Sequence, residues 1–407
     1  MATINKNFSK LAAGYLFPEI ARRTNKYLSE NEGIELMKLG IGNTTESLPL
    51  SLVNAMKAKL DELSNRETYS GYGDEQGDNS LRKGLAKYYT KYGVELDSTE
   101  FFISDGAKAD AANIQELFGK DNIIAIQDPA YPVYVDSNVI GGRTLGFDAE
   151  KGGYNNFVYL SCNEENGFIP EVPDSKVDLI YLCSPNNPTG AVMNHEQLKK
   201  FVSYARANKS IIIFDSAYCE YVNDEKLPRS IYEVEGAKEC SIEINSFSKN
   251  AGFTGVRLGW TIVPKELIIE DSKAGQINSM WNRRQCTFFN GASNIAQAGG
   301  LAALSGQGYK DCRTLVNYYM DNAAIIKEGL ESVGLTCYGG INSPYIWAKA
   351  PNNMTSWDFF DFLLKVCHVV VTPGSGFGPA GESYIRVSSY GHRENVVKAI
   401  ASIKENM

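Results

Sequence analysis

Histidine is nearly missing from this chain: among 407 residues there are three, His195, His368 and His392, and no two have ligand-like spacing. A zinc centre or a histidine-based nucleophilic triad would have to draw on that short list. The eight cysteines, at positions 162, 183, 219, 240, 286, 312, 337 and 367, include no Cys-x-x-Cys pair, so metal and redox roles lose support. Several lie in apolar stretches, as Cys183 does in Tyr-Leu-Cys-Ser, where a small buried thiol is commoner than a nucleophile. Long apolar runs are also missing: nothing approaches a membrane span, and the opening Met-Ala-Thr-Ile-Asn-Lys-Asn-Phe lacks the apolar core of a secretory signal. With 40 Lys and Arg against 48 Asp and Glu there is no basic excess to attract nucleic acid. The expectation is a cytoplasmic chain, or the mature form of an organellar one, with no metal, membrane or nucleic-acid partner.

What is present is ordinary globular composition, 43% hydrophobic and 22% charged, at a length where two domains are expected. From about residue 98 to 265, β-branched runs at 100–103, 122–126, 179–183, 211–214, 241–244 and 260–263 alternate with helical patterns at 107–118 and 195–208. This is α/β patterning, a large mostly parallel sheet assigned to residues 51–298. Each strand is followed by its most chemically loaded residues, where open α/β sheets place ligands. A long helix at 311–332, strands at 345–348 and 384–388, a helix at 356–366 and a final helix predict a smaller α+β domain at 299–407. Residues 1–50, with an extended signal at 37–41, are expected to return to it.

The richest segment is Ser-Phe-Ser-Lys-Asn-Ala-Gly-Phe-Thr-Gly-Val-Arg-Leu-Gly-Trp from Ser246 to Trp260. A lysine nucleophile, Lys249, suits condensation with a carbonyl, while Ser246, Ser248 and Arg257 suit a phosphate; pyridoxal phosphate is the cofactor that needs both. The alternative is a surface lysine in a glycine-rich turn. A pyridine ring calls for an acid at its nitrogen, and Asp215, ending the apolar run Ile-Ile-Ile-Phe, is placed for it or for a helix cap. Tyr218 and Asn187, the latter in Ser-Pro-Asn-Asn-Pro-Thr-Gly, can reach the ring's phenolic oxygen. Asp105-Gly106-Ala107-Lys108 opens a helix after a strand and offers backbone donors to the phosphate. Tyr131, in Asp-Pro-Ala-Tyr-Pro, can stack on the ring. Arg386, in Tyr-Ile-Arg-Val-Ser, is the candidate grip for a substrate α-carboxylate, with a structural pair to Glu382 as the alternative.

Nearly end to end, the chain resembles the fold-type-I aminotransferases, and more closely the LL-diaminopimelate aminotransferases. The resemblance is carried by Ala-Gly-Tyr-Leu-Phe-Pro-Glu-Ile-Ala-Arg-Arg from Ala13, Gly-Ile-Gly-Asn-Thr-Thr-Glu from Gly40, Asp-Gly-Ala-Lys from Asp105, Asn-Ile-Gln-Glu-Leu-Phe from Asn113, Tyr-Leu-Cys-Ser-Pro-Asn-Asn-Pro-Thr-Gly from Tyr181 and Arg-Arg-Gln from Arg283. It implies a pyridoxal-phosphate transaminase that exchanges an amino group between LL-2,6-diaminopimelate and 2-oxoglutarate in lysine biosynthesis, with Lys249 as the catalytic residue. It also implies that Tyr72, Ala107, Lys108, Tyr131, Asn187, Asp215, Tyr218, Ser246, Ser248, Arg257 and Asn290 hold the cofactor. Tyr15, Gly42, Glu75, Lys108, Tyr131, Asn187, Asn290 and Arg386 would form the substrate pocket, some of them supplied by the second subunit of a homodimer. Asn43, Ser47, Asp74, Phe288 and Asn294 depart from the family pattern without removing a cofactor ligand.

Overall fold

The computed structural model describes residues 1–12, 16–150, 152–270 and 272–407. Its largest sheet has seven strands in the spatial order Phe101–Ser104, Gly259–Ile262, Ser241–Ser246, Ile211–Asp215, Leu179–Cys183, Ile124–Asp128 and Phe157–Ser161. All neighbours run parallel except Gly259–Ile262, which is antiparallel to both of its partners. The edge strand Phe157–Ser161 was not anticipated from the sequence. The expected helix at 107–118 is shorter, an α-helix Ala107–Asn113 running into a single 3-10 turn, Ile114–Leu117.

Parallel pairing follows from apolar runs that can be buried on both faces. Ile211 and Ile213 face one hydrophobic layer while Ile212 and Phe214 face the other, all at most 2% exposed. Burying each such side chain contributes roughly 1.5–3 kcal/mol. The helix His195–Asn208 lays Leu198, Phe201, Val202 and Ala205 against this sheet, and it starts cleanly because Asn194 and Gln197 form a reciprocal capping box.

A second, antiparallel sheet has the order Cys337–Gly339, Tyr345–Lys349, Tyr384–Ser388, Thr372–Pro373. The helix Gly306–Ser332 begins five residues before its expected start and leads into this sheet. Of the extended signal at 37–41, Met37–Lys38 forms a strand, parallel to Val369–Val370. The chain then continues alongside the second sheet: Ser388 donates its amide to the Leu39 carbonyl at 2.7 Å, and the Thr372 hydroxyl donates to the Gly40 carbonyl at 2.6 Å. Residues 40–43 are thereby carried to the carboxyl ends of the large sheet's strands.

Candidate active site

A cavity of about 280 Å³ opens where those strand ends meet residues 41–43, Tyr345 and Arg386. The Ser241–Ser246 strand delivers Lys249 one turn past its end, and the side chain points in, its Nζ donating to the Gly42 carbonyl. Burial, reinforced by the positive charges of Arg386 and Arg257 and opposed by Asp215, pulls the Lys249 amine down to about 7. An amine so placed is a free base near neutrality. With its pKa lowered, the nucleophilic fraction rises with pH only up to about 7 and then levels. We therefore expect labelling of Lys249 by a small aldehyde, trapped by borohydride and read by mass spectrometry, to climb about tenfold per pH unit below that point and to plateau above it. An ordinary lysine would keep climbing toward pH 10.

Asp215 ends a fully buried strand and is itself 8% exposed. One carboxylate oxygen accepts from the Tyr134 hydroxyl at 2.7 Å and the other from the Ala217 amide at 3.0 Å. The amide bond is a local turn contact of the kind a capping aspartate makes. Yet the side chain also lines the cavity, with no guanidinium or ammonium bonded to it among the described residues. Burial raises its pKa above the usual carboxylate value, and the hydrogen bonds from Tyr134 and Ala217 oppose that rise. A buried acid in that position is matched by a cationic group of a ligand.

At one end of the cavity Ser246 and Ser248 place their hydroxyl oxygens 2.7 Å apart beside Arg257. Arg257 adopts a left-handed backbone (φ 68°), and its guanidinium packs so closely on Gly106 that a Cβ there would lie 2.3 Å away. That contact brings Arg257 to the first turn of the Ala107–Asn113 helix, whose opening amides, Ala107 and Lys108, have no intrahelical acceptor. Two hydroxyls, a guanidinium and helix-start amides make a cradle for a dianion. Tyr131 lines the same wall, with the Lys108 ammonium 5.8 Å from its ring centroid.

At the other end Arg386 is 2% exposed. Its guanidinium donates to Asn187 Oδ1 and to the Gly40 carbonyl, both at 2.7 Å, and its Nε has no partner. The alternative pairing is not formed: Glu382 instead accepts from the amide and hydroxyl of Ser356. Asn187 is held by the turn around it, where Asn186 accepts from the amide and hydroxyl of Thr189. Three cationic side chains, Lys108, Arg257 and Arg386, and the Lys249 amine thus face one carboxylate, Asp215. Such a cavity favours an anionic ligand.

Twelve of the residues singled out from the sequence line this cavity. Three others do not: Tyr72 is 87% exposed, Asn290 is exposed, and Glu75 is partly buried. They form a neighbouring patch, since Gly291 packs on Asp74 and Glu75, and Asn294 donates to the Gly71 carbonyl at 3.0 Å. Phe288, 70% exposed, precedes Asn290 by two residues. Tyr15 lies outside the described residues. Conversely, Tyr134, Tyr345 and Phe17 line the cavity without having been foreseen. Only Tyr134 carried a usable signal, lying one helical turn from Tyr131.

Residues 34–403 match the family of class I and II aminotransferases. An LL-diaminopimelate aminotransferase of Prochlorococcus marinus (strain MIT 9515) is 52% identical over 406 residues, covering 99% of each chain. The solved structure of L,L-diaminopimelate aminotransferase from Chlamydomonas reinhardtii superposes with a TM-score of 0.93 at 46% identity, covering 99% of this chain and 98% of that one. A Thermus thermophilus aspartate aminotransferase, at 20% identity and a TM-score of 0.85, shares the fold over the full length of both chains. Family match, full-length relatives and a cavity with a buried lysine at its centre agree, and the chain belongs to the class I and II aminotransferases.

Proposed function

We propose that the chain transfers an amino group between LL-2,6-diaminopimelate and 2-oxoglutarate, giving tetrahydrodipicolinate and glutamate in lysine biosynthesis, with pyridoxal 5′-phosphate as cofactor. The observation that carries the chemistry is the convergence of a low-pKa buried amine, Lys249, with a buried acid, Asp215, in one cationic cavity. The choice of substrate is supported by the full-length relatives.

The donor set fits the cofactor. Lys249 would hold its carbonyl carbon; Ser246, Ser248, Arg257, Ala107 and Lys108 its phosphate; Asp215 its ring nitrogen; Asn187 and Tyr218 its phenolic oxygen; and Tyr131 its ring face. When bound, the cofactor supplies a sink for the electrons left on the substrate's α-carbon. Arg386, with its unpartnered Nε facing no protein acid, binds the substrate α-carboxylate and so fixes which bond at that carbon is aligned for cleavage. With its amine unprotonated above about pH 7, Lys249 would take the proton from the substrate α-carbon and, as its conjugate acid, give it back to carbon within the same cavity. Tyr72, Glu75 and Asn290 would reach the site of a second copy in a homodimer, where Glu75 could accept the distal ammonium of the substrate; Tyr15 would complete the pocket. A large domain of residues 51–298 and a small one of 1–50 and 299–407 would flank the site.

Amino donors assayed with 2-oxoglutarate test this reading. LL-Diaminopimelate is expected to exceed aspartate in kcat/KM by about 10³-fold or more, since a site built to bond a distal polar group strongly rejects donors without it. Efficient turnover of aspartate or kynurenine with none of LL-diaminopimelate would replace it with a transaminase of other specificity.

A further inference from the structure

Tyr345, 1% exposed, reaches the cavity from the second sheet and touches three groups of the proposed reaction. Its hydroxyl lies 2.9 Å from that of Tyr218. Its ring carries the Arg386 guanidinium 4.4 Å from the centroid. It also walls off Gly42, where a Cβ would sit 2.6 Å from the Tyr345 oxygen, and Gly42 is the residue whose carbonyl receives Lys249. Strand register fixes the arrangement: Trp347 pairs with Arg386 and Tyr345 with Ser388, so Tyr345 is the diagonal neighbour of Arg386 on the same sheet.

Packing alone would need the ring and not the hydroxyl. The hydroxyl, however, is the hydrogen-bond partner of Tyr218, a buried phenol whose own proton must be aimed if it is to serve a ligand. Either hydroxyl can donate to the other, and the Arg386 charge over the Tyr345 ring favours Tyr345 as the donor; Tyr218 would then accept from it and keep its own proton for the cavity.

We infer that Tyr345 is a positioning residue with two separable duties: its hydroxyl orients the Tyr218 phenol toward the cofactor's phenolic oxygen, and its ring seats Arg386 for the substrate α-carboxylate. This rests on the cofactor reading above.

Two variants of the full-length, cofactor-loaded protein separate the duties. Tyr345→Phe keeps the ring and removes the hydroxyl. Tyr218 then becomes a weaker donor, and the pH midpoint of the bound cofactor's visible absorbance is expected to rise by about 0.5 unit, with kcat falling about 3–10-fold and KM values within about twofold of wild type. Tyr345→Leu removes the ring as well and is expected to add a rise of about tenfold in KM for both the amino donor and 2-oxoglutarate. A Tyr345→Phe midpoint and kcat equal to wild type would overturn the hydroxyl's role, and KM values in folded Tyr345→Leu no higher than in Tyr345→Phe would overturn the ring's. Should leucine prevent folding, as read by circular dichroism, Tyr345→Met takes its place in the KM comparison with Tyr345→Phe. A wild-type protein that gains no visible absorbance with pyridoxal phosphate would instead overturn the cofactor reading, and this inference with it.

Discussion

Replacing Lys249 by alanine is expected to lower transamination by at least about 10⁴-fold, because one amine provides both the covalent attachment point and the base at the α-carbon. Stopped-flow absorbance on adding LL-diaminopimelate, beside a steady-state assay, checks it; turnover at an undiminished rate would remove Lys249 from the mechanism. The fold is not expected to suffer. The lost side chain is a buried amine whose pKa is depressed to about 7, so the folded state disfavours its charged form. The sign follows: for a depressed pKa, the native state is penalised as pH falls from the unfolded value near 10.5 toward the folded one. Cofactor-free Lys249→Ala should therefore melt at or above the wild-type temperature, with the gap widest below pH 7 and vanishing above about pH 10.5.

Asp215→Asn keeps the shape of the side chain and removes its charge. The expected loss in kcat is roughly 10²–10⁴-fold, the equivalent of the ~3–5 kcal/mol that breaking one half of a buried charge pair costs. The Tyr134 hydroxyl and Ala217 amide, which now donate to the carboxylate, would both have to be satisfied by the single amide oxygen or lose a partner. Rate measurements should be read with cofactor affinity by equilibrium dialysis. A kcat within twofold of wild type would show that the acid does not serve the ring nitrogen.

The parts of the cavity that were legible share a property: each stands in a strand or just past its end, in a short motif whose residue types have few competing uses. Lys249 between hydroxyls and arginine, Asp215 after Ile-Ile-Ile-Phe and Arg386 in Tyr-Ile-Arg-Val-Ser are of this kind. Tyr134 and Tyr345 were not legible, because 23 tyrosines sit in similar apolar surroundings and only three-dimensional contact tells which hydroxyl meets Asp215 or Tyr218. Tyr72, Glu75 and Asn290 were legible only through resemblance, and a single chain leaves them beside the cavity rather than in it.

The strand expected at 241–244 is formed as Ser241–Ser246, and although Ser-Ile-Glu-Ile-Asn alternates polar with apolar residues, both faces are buried. Glu243 is accommodated because hydroxyls distant in sequence converge on it: Tyr89 and Ser230 at 2.6 Å and Ser216 at 3.0 Å. With no cation among these partners, burial lifts its carboxyl to about 7. The unforeseen strand Phe157–Ser161 lies at the sheet edge, where pairing on one side suffices and exposure is mixed, so its pattern lacks the continuous apolar signature of its neighbours.

The pairing of Met37–Lys38 with Val369–Val370 sets an order of events during synthesis. The Gly40 carbonyl waits for Thr372 and Arg386, and the Leu39 amide and carbonyl wait for Val370 and Ser388. The ribosome makes residues 39–42 among the first and their partners among the last, so most of the large sheet can form while the substrate-facing loop still has no place to settle. A nascent chain short of about residue 388 therefore lacks the partners that hold residues 39–40 beside the cavity.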